Sequence, residues 1–261
     1  MTRSLDNNPI VVVGASSGIG RGVARRLIDA GGLVLVAARR ADLLDTLVTE
    51  AGAGRAFQCD LLDEDAGEQT AAEIRRSADR LDALFVSAGS APLRKLADTS
   101  VDEWRSALET NVIGINRLIA GVLPLLRPES IVIIVSSETA VLPRSHLGAY
   151  GASKAALEHS IRQWREEHPW IRLTAVSLGG TVPTEFGRQF EIDVTVEALQ
   201  AWSASGHNQQ AFMDTEEVCD VLADVMVTLL HSPSVGLHRL ELRSPSPVAT
   251  DFKFLDEMRE P

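Results

Sequence analysis

The sequence predicts an α/β fold built on a doubly wound parallel sheet with helices on both faces. Three observations carry that prediction. Short β-branched runs alternate with longer amphipathic stretches along the 261 residues, several of those runs are almost wholly apolar, and a glycine-rich turn follows the first one. Alternation of this kind calls for right-handed crossovers within one sheet. Continuous apolar strands suit burial between two helical layers.

Taken in order, Ile10–Val13 is read as a strand followed by a helix over Ile19–Ala30, and Leu33–Ala37 by a helix over Asp42–Ala51. Ala56–Cys59 leads to Glu64–Arg80, and Ala83–Val86 leads to one long helix over Val101–Leu126. Ile131–Val135 is followed by Ala149–Glu167, and Ile171–Ser177 by Thr215–Leu230, with Leu237–Leu242 as the last strand. The interval Thr184–Phe212 breaks the rhythm, with Phe186, Phe190, Trp202 and Phe212 set among polar residues. So long a connection is expected to be a substrate-binding loop. The chain 1–261 is read as a single domain, and 244–261 as a tail whose Phe252, Phe254 and Leu255 pack on a neighbouring subunit or fray.

Composition narrows the function classes. Apolar residues make up 45% and charged residues 23% of the chain, the balance of a soluble globular protein. A formal charge of −11 argues against nucleic acid or an anionic membrane as partner. Cys59 and Cys219 stand far apart in no ligand-like spacing, so neither a disulfide framework nor a metal site is expected. The N-terminus lacks the pattern of a signal peptide, and the apolar runs are too short to cross a bilayer. The expected location is the cytoplasm.

In VVVGASSGIGRGVARRL, Gly14, Gly18 and Gly20 stand at a strand-to-helix junction. Glycine there permits a tight turn and lets a pyrophosphate approach bare N–H groups at the positive end of the helix. The simpler alternative is a tight turn with no ligand, which the strand–turn–helix context disfavours. After the second strand, LVLVAARR has Ala38 where a ribose-binding carboxylate would select NAD, followed by Arg39 and Arg40. A guanidinium suits a 2′-phosphate, so NADP(H) is expected over NAD(H), with Arg39 favoured over Arg40 as the contact.

Tyr150 is the only tyrosine, and Lys154, four places on, is one of three lysines. On a helix the pair shares one face. An ammonium beside a phenol favours the phenolate, and is expected to pull the tyrosine toward the working pH range of a proton donor or acceptor. Ser137 closes the fifth strand at its carboxyl end, where ligands bind in open α/β sheets. Asn111 sits mid-helix, where an amide is a poor helix former and needs a reason. Each has a plain structural explanation singly; the four together point to a catalytic group.

The motifs, in this order, resemble those of the short-chain dehydrogenase/reductase family from about Ile10 to Thr184: GASSGIG, the aspartate of QCDLLD, VSAGS, NVIG, SSE, YGASK and GGTVPTEF. The resemblance implies a Rossmann-type sheet of about seven strands, hydride exchange between a nicotinamide and a carbonyl or alcohol substrate, and a homodimer or homotetramer. It implies cofactor contacts from Gly14, Ser16, Ser17, Gly18, Ile19, Gly20, Asp60, Leu61, Ala88, Gly89, Tyr150, Lys154, Gly180, Val182 and Thr184. Tyr150 becomes the general acid or base, Lys154 its tuning cation, Ser137 the group orienting the substrate oxygen, and Asn111 the holder of a relay water. The chain departs from the family pattern at Val13, at Val86 and Ser87 in place of paired asparagines, and at Gly179 in place of proline.

The substrate pocket is expected from Ser90–Leu96, Glu138–Leu147 and Phe186–Phe212, with Arg94, Arg144, His146 and His207 as polar candidates. His146 is equally read as a solvent-facing loop residue. Two other functions share these motifs: a catalytically idle NADP(H)-binding sensor or scaffold, and an epimerase or dehydratase.

Overall fold

A computed structural model describes residues 4–247, apart from 189, 207 and 208. His207 and the tail residues Phe252, Phe254 and Leu255 therefore lie outside the described residues.

Seven strands form one sheet: β1 (Pro9–Val13), β2 (Leu33–Ala38), β3 (Arg55–Gln58), β4 (Leu81–Val86), β5 (Leu126–Val135), β6 (Arg172–Leu178) and β9 (Arg239–Leu242). Their spatial order is β3-β2-β1-β4-β5-β6-β9, and every neighbouring pair is parallel. All seven predicted strands are present, with shifted ends. The helices are α1 (Gly18–Asp29), α2 (Ala41–Ala51), α3 (Ala66–Arg75), α4 (Val101–Leu108), α5 (Gly114–Val122), α6 (Gly148–Glu167), α7 (Ile192–Ala204) and α8 (Thr215–Leu230).

Period-two alternation within apolar strands feeds two cores. Ile10, Val12, Val34 and Val36 pack with Val23 and Leu27 of α1 and Leu222 and Met226 of α8. Val11, Val13, Leu35 and Ala37 point the other way, toward Ile74, Leu118 and Leu157 of α3, α5 and α6. A fully buried aliphatic side chain contributes about 1.5–3 kcal/mol, so both faces of the sheet are anchored. The chain leaves β1 toward β2 and β3, then restarts at β4 on the other side. That reversal opens a crevice at the carboxyl ends of β1 and β4, and the functional side chains gather there.

Three elements differ from expectation. The long helix over 101–126 is broken into α4, a single π turn at Glu109–Ile113, α5, and a short 3₁₀ turn at Leu123–Leu125. Pro124 supplies no N–H to continue α5, and the π turn is set by the Asn111 contacts described below. Helix α3 stops at Arg75, five residues short of the predicted end, where the Ser77 and Ala78 amides both turn back to the Ile74 carbonyl. Within the 184–212 interval lies a full helix, α7, and its flanks form a small parallel pair, β7 (Thr181–Val182) with β8 (Met213–Asp214). Helix α7 begins IDVTV, a β-branched run that hides its helical period; it holds by burying Ala198 and Leu199.

Candidate active site

At the end of β1 the Gly14 amide donates to the Ala37 carbonyl at 2.8 Å, folding the chain back across β2. Gly14 has φ +92°, and a Cβ there would lie 2.6 Å from the Ala88 nitrogen, so this turn touches the end of β4. Gly18 opens α1 with φ +51°, and nothing lies within 4 Å of where its Cβ would stand. The first N–H groups of α1 have no intrahelical partner, and the helix start is open at Gly18 but packed against Gly14 and Ser87 at Gly20. The Ser17 side chain, at the N-cap, makes no cap hydrogen bond. Instead both Ser16 and Ser17 Oγ accept from Arg40 at 3.0 Å, and Arg40 pairs with Glu185 at 2.8 Å. Bare amides, two hydroxyls and a guanidinium facing one groove are a donor set that fits the phosphates of a dinucleotide.

The other cofactor candidates are placed unevenly. Gly89 is exposed beside Lys154, whose Nζ would lie 3.5 Å from a Cβ at that position, and Ala88 is half-buried next to it. Asp60 turns its carboxylate back to the Leu62 amide at 3.0 Å, and Leu61 is buried under Gly114. Ile19 and Gly20 face the core at the start of α1. Gly180 lies under the Phe212 ring, Val182 is exposed, and Thr184 is half-buried before the 3₁₀ turn Glu185–Gly187. Arg39 is exposed.

Tyr150, Lys154, Ser137 and Asn111 converge. Tyr150 and Lys154 are both buried on α6, and the Lys154 ammonium stands 5.7 Å from the phenol ring centroid. Ser137 follows β5; its Oγ accepts from the Thr139 amide at 3.2 Å and the Thr139 hydroxyl at 2.9 Å. Asn111 makes three hydrogen bonds to protein, using both its donors and one acceptor site of Oδ1. Nδ2 donates to the Ser90 carbonyl at 2.7 Å and to Ser153 Oγ at 2.9 Å, and Oδ1 accepts from the Ser90 amide at 2.8 Å. The π turn is the local distortion that delivers this side chain between the β4 loop and α6.

Burial dominates the electrostatics. It pushes the Tyr150 phenol up to about 12, with the Ser137 hydroxyl acting in the opposite direction. It pulls the Lys154 ammonium down to about 8, opposed by the Glu158 carboxylate. The expected lowering of the tyrosine by the lysine is therefore not what the polypeptide alone produces. Desolvation disfavours both charged forms, and the ammonium donates to the Val135 carbonyl at 2.9 Å instead.

Over this cluster sits the segment leading into α7. The Phe186 ring lies 5.2 Å from the Tyr150 ring, and Phe190 meets Phe186 edge-on at 5.5 Å. Behind Phe190 is a cavity of about 260 Å³ between the Ser90–Arg94 segment, Glu103, Ser106 and Glu191. The 138–147 loop, expected to line the pocket, also fastens α7. Trp202 Nε1 donates to the Ser145 carbonyl at 2.6 Å, and the Arg144 guanidinium, ion-paired with Glu138, lies 5.4 Å from the Trp202 ring centroid. His146 is buried rather than facing solvent, with Nδ1 bonded to Ser145 Oγ at 2.9 Å and Nε2 3.6 Å from Glu197. Arg94 bridges to Glu191 at 2.9 Å, closing the same clasp.

Sequence reasoning placed Ser90 in the pocket but missed its pairing with Asn111, and missed Ser153, the second partner of Asn111, and Glu185, the partner of Arg40. The only signal for each was its place inside a motif: Ser153 in YGASK, Ser90 in VSAGS and Glu185 in GGTVPTEF. Among the described residues no group of three or more His, Cys, Asp or Glu could hold a metal ion, and no helix is long and apolar enough to cross a membrane.

A parallel doubly wound sheet with a glycine turn and a buried Ser–Tyr–Lys–Asn cluster at its switch point defines a dinucleotide-type oxidoreductase scaffold. The family model for short chain dehydrogenase matches residues 8–194, and the chain belongs to the short-chain dehydrogenase/reductase family, whose members are oxidoreductases acting on CH–OH and C=O groups. It is similar to the serine 3-dehydrogenase of Agrobacterium fabrum, 32% identical over 68% of this chain and 73% of that one. It is also similar to the (S)-benzoin-forming benzil reductase of Saccharomyces cerevisiae, 31% identical over 84% and 89%. Against the glycine betaine reductase of Emericella nidulans it is 30% identical over 83% of this chain but spans only 17% of that protein's length. Among solved structures, the closed form of serine dehydrogenase complexed with NADP+ superimposes with a TM-score of 0.76 at 25% identity, covering 90% of this chain and 94% of that one. The alcohol dehydrogenase of Thermococcus sibiricus complexed with 5-hydroxy-NADP shares the fold, with a TM-score of 0.77 at 21% identity over 91% and 97%.

Proposed function

We propose that this chain is an NADP(H)-dependent oxidoreductase interconverting a carbonyl and an alcohol, with Tyr150 as the general acid in reduction and the general base in oxidation. The observation that carries the reading is the juxtaposition of Tyr150, Lys154 and Ser137 in a buried cleft whose other wall is the glycine turn. A bound nicotinamide cofactor would supply or accept the hydride. The amides opening α1, the hydroxyls of Ser16 and Ser17, and Arg40 with Arg39 would hold its phosphates; Gly89 and Lys154 would flank its ribose, and Val182 and Thr184 its nicotinamide end. The relatives named as dehydrogenase and reductase support the reaction class, and the solved structures named with NADP support the cofactor.

The side chains divide the work as follows. Ser137 Oγ, already held by Thr139, orients the substrate oxygen toward the Tyr150 hydroxyl. A phenol that stays protonated through the neutral range is ready to donate to an alkoxide developing during reduction. In oxidation the phenolate must form, and the buried Lys154 ammonium is the cation that favours it. Asn111 holds the Ser90 loop and α6 in register; with both its side-chain donors used, a relay water would be held by backbone atoms beside it or by the second acceptor site of Oδ1. Phe186 and Phe190 shield the site from water, and Leu93 with the aromatic side chains of 184–212 suits a small or medium apolar carbonyl compound. The functional form is proposed to be a homodimer or homotetramer in the cytoplasm.

Consumption of NADPH and NADH across a panel of ketones and aldehydes tests the proposal. Turnover preferring NADPH, abolished in Tyr150→Phe, is the expected result. Tight NADPH binding with no turnover on any member of the panel would favour an idle sensor instead.

A further inference from the structure

We infer that Glu185 is a cofactor-specificity residue: its carboxylate holds Arg40 as an internal substitute for the 2′-phosphate, and that phosphate must displace it. The inference rests on the NADP(H) reading above. Arg40, at the N-cap of α2, reaches Ser16 Oγ and Ser17 Oγ at 3.0 Å each, and its remaining contact is Glu185 at 2.8 Å. Glu185 belongs to the opposite wall, in the turn after β7. The pair therefore joins the glycine-turn side of the groove to the segment that leads into α7. Every polar group that Arg40 touches is one that phosphate oxygens would replace or share.

The chemistry of the two anions sets the direction of exchange. A phosphate monoester carries about −1.5 to −2 charges and three acceptor oxygens, so it can take the guanidinium and both serine hydroxyls at once. A carboxylate has one charge and two oxygens. The ribose hydroxyl of NAD(H) is neutral and has no means of drawing Arg40 away. Arg40 also holds the Glu185 carboxyl below its usual range, so the pair stays charged at neutral pH. It is partly exposed, with side-chain accessibilities of 47% and 30%, so its strength is modest and reversible. The same turn carries Phe186, whose ring covers Tyr150 at 5.2 Å. The Arg40–Glu185 pair thus reaches the same turn as the ring over the phenol, and Glu185 keeps a second partner there, Arg188 at 2.7 Å, when Arg40 is drawn away.

Dissociation constants for NADP+ and NAD+ are to be measured by titration on the wild type, Glu185→Gln, Arg40→Ala and the double variant, with thermal melts confirming that each folds. Glu185→Gln is expected to tighten NADP+ by roughly fivefold while NAD+ changes by less than about twofold, since removing one partly exposed ion pair is worth that order. The gain is expected to vanish in the Arg40→Ala background. Equal tightening for both cofactors, no change, or weaker NAD+ binding in Glu185→Gln, with Arg40→Ala still weakening NADP+, would overturn the assignment of Glu185 and leave the cofactor reading standing. NADP+ binding unaffected by Arg40→Ala would remove the cofactor reading at Arg40 and this inference with it.

Discussion

The Lys154 ammonium donates to the Val135 carbonyl at 2.9 Å while standing 5.7 Å from the centre of the Tyr150 ring. A cation placed one helical turn from a phenol is thus anchored to the carboxyl end of β5, and the distance between the two groups is set by the sheet as well as by α6.

That anchoring has a measurable cost. Burial lowers Lys154 from 10.5 to about 8, so the unfolded chain binds more protons than the folded one between those values. Folding stability must then rise with pH across that window, while the full penalty applies below about pH 8. Lys154→Met is expected to be more stable than the wild type at pH 7, by about 3 kcal/mol at most, with the gap closing toward pH 10.5. Calorimetric scans across that range check it; a gap independent of pH would show that the buried charge is not what destabilises.

A phenol held near 12 is in its acid form throughout the neutral range. Alcohol oxidation, which needs the phenolate, is expected to accelerate as pH rises from 7 toward 8, where Lys154 still carries its charge, whereas carbonyl reduction should not. Tyr150→Phe is expected to lower kcat by about 10²–10⁴ with the melting temperature and NADPH dissociation constant unchanged. Initial rates in both directions and a fluorescence titration decide the matter.

Asn111 makes three hydrogen bonds to the Ser90 backbone and Ser153, and is wholly buried. Asn111→Ala leaves the Ser90 amide and carbonyl without that partner, at a cost of about 2–4 kcal/mol. Hydrogen exchange should show faster opening of the Ser90, Ala91 and Leu93 amides in the variant than in the wild type. Unchanged exchange there would mean that the π turn holds without the amide.

Gly14 and Gly52 both have positive φ, but only Gly14 is crowded. A Cβ at Gly14 lies 2.6 Å from the Ala88 nitrogen, and one at Gly52 meets nothing within 4 Å. Gly14→Ala is expected to lose about 3 kcal/mol or more and to abolish NADPH binding, because the turn must move off β4. Gly52→Ala should cost only about 1–2 kcal/mol, the strain of a left-handed residue. Equal losses would mean that backbone strain alone, without the contact, governs the turn.

Much of the fold was legible in the chain because its signals are local. Ile10, Val12 and their neighbours alternate between the two cores, and the strand–helix rhythm requires a parallel sheet. Gly14 and Gly18 announce a turn that only glycine makes easily. The break at Asn111 was readable as an anomaly but not as a π turn, since its cause is a contact with Ser90, 21 residues away in sequence. Helix α7 was hidden because its β-branched start favours a strand, and burial against the clasp formed by Arg94, Ser145 and His146 overrides that preference.

By itself the sequence determined the order of elements, the glycine turn, and the presence of serine, tyrosine, lysine and asparagine at family spacing, all of which depend on residue type and short-range periodicity. Only the tertiary structure decided how these groups are charged and restrained: that burial raises the phenol and lowers the ammonium, that Asn111 is bonded to the scaffold, and that Arg40 pairs with Glu185 across the groove. Those outcomes depend on solvent exclusion and on neighbours brought together from distant segments, and no local pattern encodes either.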